Sequence, residues 1–131
     1  MGLHSFDRPA QRPVPLSLTG VDSRGVRVTV TFTQRTIVLA VKPNCDGCRD
    51  FLSGPLAAFD GLDVVLVSAT PFVEDVVSAG RVLVAPEWMA QARIVAAPSY
   101  TVIDPSEGRV VTEGVAFAPS QVAREIATHL G

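Results

Sequence analysis

The sequence predicts an α/β fold: a central mixed β-sheet with parallel core strands and a C-terminal antiparallel hairpin, flanked by helices. Three observations predict it. Two short runs, residues 36–41 and 63–68, are almost continuously apolar and rich in β-branched residues, as strands buried on both faces are. Segments with helical character stand between the strand-like runs, and such crossovers place neighbouring strands parallel. Near the end, residues 100–104 and 109–112 are strand-like and separated by Pro105-Ser106-Glu107-Gly108, a turn that folds them into a hairpin.

The elements follow in order. Residues 1–13 read as a flexible lead, with Arg8, Arg12 and several prolines, ahead of one domain over residues 14–131. Residues 20–25, from glycine to glycine, read as a turn. Val26, Val28, Val30 and Phe32 then alternate with Arg27, Thr29 and Thr31, the period of a half-buried strand. The run at 36–41 is broken by Lys42-Pro43-Asn44. A helix is expected from Cys45 through Phe59, kinked or split at Gly54-Pro55, because proline cannot donate and clashes with the preceding turn. After the strand at 63–68, Thr70 and Pro71 open a helix that ends near Gly80. A short strand at 81–85 and a helical turn or two at 86–93 precede the hairpin. Val122, Ile126 and Leu130 form one stripe of a closing helix over 119–130.

At 131 residues with 47% hydrophobic content, the chain is long enough for one core and too short for two. The formal net charge is −2 and no basic run occurs, which gives no electrostatic reason to expect nucleic acid or an anionic membrane as partner. No apolar stretch is long enough to span a bilayer, and the lead lacks the apolar middle of a secretory signal. The expectation is a cytoplasmic protein; an exported protein trimmed of its signal would look the same.

The chain has two cysteines, Cys45 and Cys48, three positions apart. A bridge that short constrains the unfolded chain little, so reactivity explains the pair better than stapling. The motif Cys45-Asp46-Gly47-Cys48 falls where a buried strand ends and a helix begins, the usual end for function in open α/β sheets. A sulfur at the helix start faces unpaired N–H groups and the positive end of the helix dipole, both of which favour thiolate over thiol. Cys45 is therefore the expected nucleophile and Cys48 the resolving thiol. Lys42 and Arg49 favour the thiolate, while Asp46 and Asp50 oppose it. Zinc is the rival use of such a pair. It needs four ligands, and the two histidines, His4 and His129, lie near the termini, so no metal and no cofactor are expected. An inert buried pair is the other alternative.

With these features the chain resembles the thioredoxin superfamily, within it the bacterial thiol–disulfide oxidoreductases related to TlpA and the peroxiredoxins. The strand at 36–41 running into Cys45-Asp46-Gly47-Cys48 carries the likeness, with Ala97-Pro98-Ser99-Tyr100-Thr101 and the hairpin ending Thr112-Glu113-Gly114. The resemblance implies a thioredoxin-like fold in which Pro98 is cis and packs beside the cysteines. It also implies substrate-binding roles for Ala97, Pro98 and Gly114. The implied activity is dithiol–disulfide exchange with protein thiols or disulfides, with a separate reductase as a further partner. The sequence departs from the family in four places. Asn44 replaces an aromatic residue, and Asp-Gly stands between the cysteines. Leu39 occupies the position of a buried acid six before the first cysteine, and Phe51 that of a glutamate three after the second. These departures motivate a second reading, a non-catalytic binding or redox-sensing module. A thiol peroxidase is a third, weakened because Pro43 lies two before Cys45 with no threonine between. Trp88 and Met89 read as core cover. The oligomeric state is not legible.

Overall fold

A computed structural model of the chain describes residues 12–43, 45–53, 59, 61–71 and 82–130. Its elements are β1 (Ser17–Val21), β2 (Arg27–Thr31), β3 (Thr36–Ala40), a 3-10 turn (Asp46–Cys48) leading into α1 (Arg49–Ser53), β4 (Asp63–Ser68), β5 (Val82–Val84), α2 (Pro86–Gln91), β6 (Ser99–Asp104), β7 (Arg109–Val115) and α3 (Pro119–Leu130). The strands form one sheet in the order β2-β1-β5-β4-β3-β6-β7. β3, β4 and β5 are parallel. β6 and β7 add antiparallel beside β3, and β1 and β2 close the other edge. This is the α/β architecture that the apolar runs predict.

β3 is central because all five of its residues are buried. Ile37 and Leu39 join an apolar cluster with Phe51, Val122 and Ile126, from α1 and α3. Val38 and Ala40 join the opposite cluster, with Trp88 and Met89 of α2. Helices thus cover both faces, and each large apolar side chain so buried contributes roughly 1.5–3 kcal/mol. The Trp88 ring meets Phe32 edge-on at 5.8 Å, and its Nε1–H donates to the Pro15 carbonyl at 3.2 Å. Trp88 and Met89 are core residues, as read.

β1 is an element that the sequence reading leaves out. Its five residues carry two apolar side chains, and Gly20 lies inside it, so the pattern looks like a turn. The glycine is there for close approach: a Cβ at Gly20 would stand 2.9 Å from the Val84 carbonyl oxygen of β5. The actual turn begins at Asp22, whose carboxylate accepts from the Arg24 and Val26 N–H groups, and it ends at Gly25 with φ +81. The first ties to the sheet come earlier than residue 14. Pro13 bridges Arg109, and the Val110 N–H donates to the Arg12 carbonyl at 3.0 Å. The rest of the lead, the helix expected at 71–80 and the break at Gly54-Pro55 lie outside the described residues or run into their limits.

α2 ends in a tight reverse turn. The Ile94 N–H donates to the Met89 carbonyl at 2.8 Å and the Arg93 N–H to that of Ala90 at 3.1 Å, with Arg93 at φ 60. This is the Schellman arrangement, whose left-handed residue is normally glycine. Arg93→Gly is expected to raise stability by about 0.5–1 kcal/mol, read as a higher urea midpoint at unchanged slope. A lower midpoint would mean that the arginine side chain makes up for its backbone conformation.

Candidate functional site

β3 ends at Ala40, and the Val41 N–H still pairs with the Val67 carbonyl at 2.9 Å. Cys45 is extended (φ −121, ψ 110) and stands immediately before the 3-10 turn, where the Cys48 N–H donates to the Cys45 carbonyl at 3.2 Å. One helical turn brings the two Cα atoms to 5.3 Å, and the sulfurs are joined as a disulfide. The two ends differ in access. Cys48 is fully buried, packed in the cluster with Phe51 and Leu39, while Cys45 is only half-buried.

Pro98 lies directly against this loop. The Ala97–Pro98 peptide is cis, and a Cβ built on Gly47 would stand 3.3 Å from Pro98 Cγ. Gly47 therefore permits the loop's close approach to the proline ring. The Pro98 carbonyl accepts the Ala116 N–H at 3.1 Å, and the Ser99 hydroxyl donates to the Ala96 carbonyl at 2.8 Å, so the segment is pinned on both sides. Among the described residues no backbone hydrogen bond uses Ala97.

Gly114 has a packing reason of its own. It lies opposite Tyr100 across β6 and β7, and a Cβ there would stand 3.0 Å from the Tyr100 ring. The ring is buried, and its hydroxyl donates to Glu125 Oε1 of α3 at 2.8 Å. Burial, and then the bond to Glu125, pushes the Tyr100 phenol up to about 12. Tyr100 is the single tyrosine, so absorbance at 295 nm reports it alone. The expected midpoint is about 12 instead of 10. Because the folded value is the raised one, its contribution to stability is complete below pH 10. It declines as the unfolded chain ionises and is gone above about 12. A midpoint of 10 with unchanged stability across that window would show the ring to be solvated.

Charge near the pair is balanced. Arg49 Nη2 lies 3.6 Å from Asp46 Oδ1 with both side chains in solvent, an ion pair of little energetic weight. Leu39 and Phe51, the two positions at which the resemblance would have placed acids, are each 1% exposed and pack in the cluster that holds Cys48. Among the described residues no three His, Cys, Asp or Glu side chains gather as a metal site, and no helix is long and apolar enough to cross a membrane.

Sequence reasoning misses three exposed apolar residues. Val95 is 95% exposed, Phe117 75% and Val115 52%. Val95 lies two residues before Ala97, and Val115 and Phe117 flank Ala116, the residue bonded to Pro98. The available signal was Phe117 itself, an aromatic in the connector Ala116-Phe117-Ala118 and outside the stripe of α3.

No protein-family model matches the sequence, and no curated protein sequence does. Solved structures match over nearly the whole chain. The thioredoxin domain of a thiol-disulfide oxidoreductase from Bacteroides vulgatus superposes with a TM-score of 0.66 at 19% identity, covering 93% of this chain and 98% of that one. A structure described as a putative thiol:disulfide interchange protein DsbE from Chlorobium tepidum gives 0.66 at 18% identity, with the same coverage. StoA from Bacillus subtilis gives 0.61 at 17% identity, covering 86% and 98%. The fold is thioredoxin-like.

Proposed function

We propose that this thioredoxin-like domain is a thiol–disulfide oxidoreductase acting on protein substrates. One observation carries the reading: a cysteine pair joined across one helical turn, one residue partly exposed and the other buried, with the cis Ala97–Pro98 segment against its loop. The names of the similar structures support it.

In the reducing direction, the Cys45 thiolate attacks one sulfur of a substrate disulfide. A mixed disulfide forms and one substrate thiolate leaves. Cys48 gives up its proton and attacks the Cys45 sulfur, which closes the Cys45–Cys48 disulfide and releases the second substrate thiolate. Two electrons pass to the substrate, whose two sulfurs take up protons as thiols, and the domain is left oxidised. A separate dithiol donor must return it to the reduced state. Ala97 pairs with the substrate main chain, Pro98 and Gly114 border the groove, and the exposed Val95, Val115 and Phe117 meet apolar side chains of the substrate. Oxidation of a substrate dithiol is the same sequence in reverse.

The test is reduction of insulin disulfides by the reduced protein, with Cys45→Ser as control. Turnover by the wild type alone supports the reading; equal rates dismiss it. Leu39 and Phe51 favour a second reading, a redox-sensing or binding module without turnover. That reading predicts a partner complex unaffected by Cys45→Ser and no insulin reduction. A thiol peroxidase has less support, since Pro43 is followed by no threonine before Cys45.

A further inference from the structure

We infer that Arg12 is a positioning residue for the exchange site, holding both flanks of the cis-proline segment in place. This rests on the oxidoreductase reading. The Arg12 guanidinium donates from Nε and Nη2 to the Ala92 carbonyl, at 3.1 and 2.6 Å, and from Nη1 to the Glu113 carboxylate. The Arg12 side chain is 13% exposed and that of Glu113 22%, so solvent screens this pair far less than it screens Asp46 and Arg49.

The two partners stand at the two approaches to Pro98. Ala92 is the C-cap of α2, where the chain turns into the segment that reaches Ala97 and Pro98. Glu113 lies on β7 three residues before Ala116, whose N–H fixes the Pro98 carbonyl. Arg12 is itself anchored, because its carbonyl accepts the Val110 N–H and Pro13 bridges Arg109. A planar guanidinium reaches a carbonyl and a carboxylate together, which a single ammonium cannot do with the same geometry. The clamp therefore joins the end of α2 to β7 and sets where the Ala97 backbone stands relative to Cys45. Protein substrates, which pair with that backbone, depend on this placement. A small disulfide that meets only the sulfur does not.

The test compares wild type, Arg12→Gln and Glu113→Gln in two ways. With insulin, Arg12→Gln is expected to raise KM roughly fivefold at nearly constant kcat, while the rate with a small aryl disulfide stays within about twofold. In amide hydrogen exchange, the Ala116 N–H is expected to exchange roughly tenfold faster, with residues 36–40 of β3 unchanged. Equal losses on both disulfides, or unaltered exchange at Ala116, overturn the assignment. If Arg12→Gln does not fold, Glu113→Gln carries the same two readouts, because it leaves Arg12 on Ala92. If the wild type reduces neither disulfide, the oxidoreductase reading fails, and exchange at Ala116 still decides the role of Arg12.

Discussion

Cys45→Ser is expected to lower insulin reduction by roughly a thousandfold or more, to the background of the assay, because a serine hydroxyl does not attack disulfide sulfur at neutral pH. The geometry also assigns different outcomes to the two cysteines. Cys45 is the partly exposed residue of the pair, while Cys48 is fully buried. Cys48→Ser therefore leaves the first attack intact and removes the second. The expected product is a protein–substrate mixed disulfide that persists, seen as a covalent adduct of substrate mass on a non-reducing gel and lost on adding dithiothreitol. Cys45→Ser gives no such adduct. An adduct from Cys45→Ser and none from Cys48→Ser would reverse the roles. Adducts from neither variant, with insulin untouched by the wild type, would leave the non-catalytic module as the reading.

Much of this site is visible in the sequence because its parts are local. β3 is buried at every position and β4 over its second half, and both are apolar almost throughout, so they stand out without any pairing information. The motif at Cys45 to Cys48 lies within one helical turn, and Pro98 is a proline immediately before a strand. What stays hidden depends on contacts between distant segments. β1 is short and has a glycine inside it, and the reason for Gly20 is the Val84 carbonyl, sixty-four residues away in the chain. Gly114 is expected at the groove from its place in the hairpin, while its close approach to the Tyr100 ring leaves no trace in the sequence. The partner of Tyr100, Glu125, belongs to α3 and looks from the sequence like any solvent-facing acid of a helix. Arg12 was counted in the lead because nothing near it in sequence shows that Ala92 and Glu113 will meet its guanidinium. The fold was legible through burial periodicity. The bracing of the site was not, because one-sided patterns carry no information about which side chains meet.

Leu39→Asp asks whether the apolar setting of Cys48 is a defect or a structural commitment. Leu39 is 1% exposed on β3, between Leu66 of β4 and Tyr100 of β6. An aspartate there deletes a buried isobutyl group and places a carboxyl among apolar side chains. The nearest phenol across the ladder already donates to Glu125. The lost packing and the unpaired polar group together should cost roughly 3–5 kcal/mol, a large part of the 5–15 kcal/mol typical of such a domain. To lessen the desolvation cost, the acid would keep its proton near neutral pH, and a protonated carboxyl cannot take one from Cys48. The expected result is a much lower denaturant midpoint and no gain in insulin turnover per folded molecule. Faster turnover with a retained fold would mean that this acid is the one group the site lacks, and that the surrounding core can accept it. The predicted loss, in contrast, means that Leu39 and Phe51 form a seat for Cys48 that is stable only while apolar.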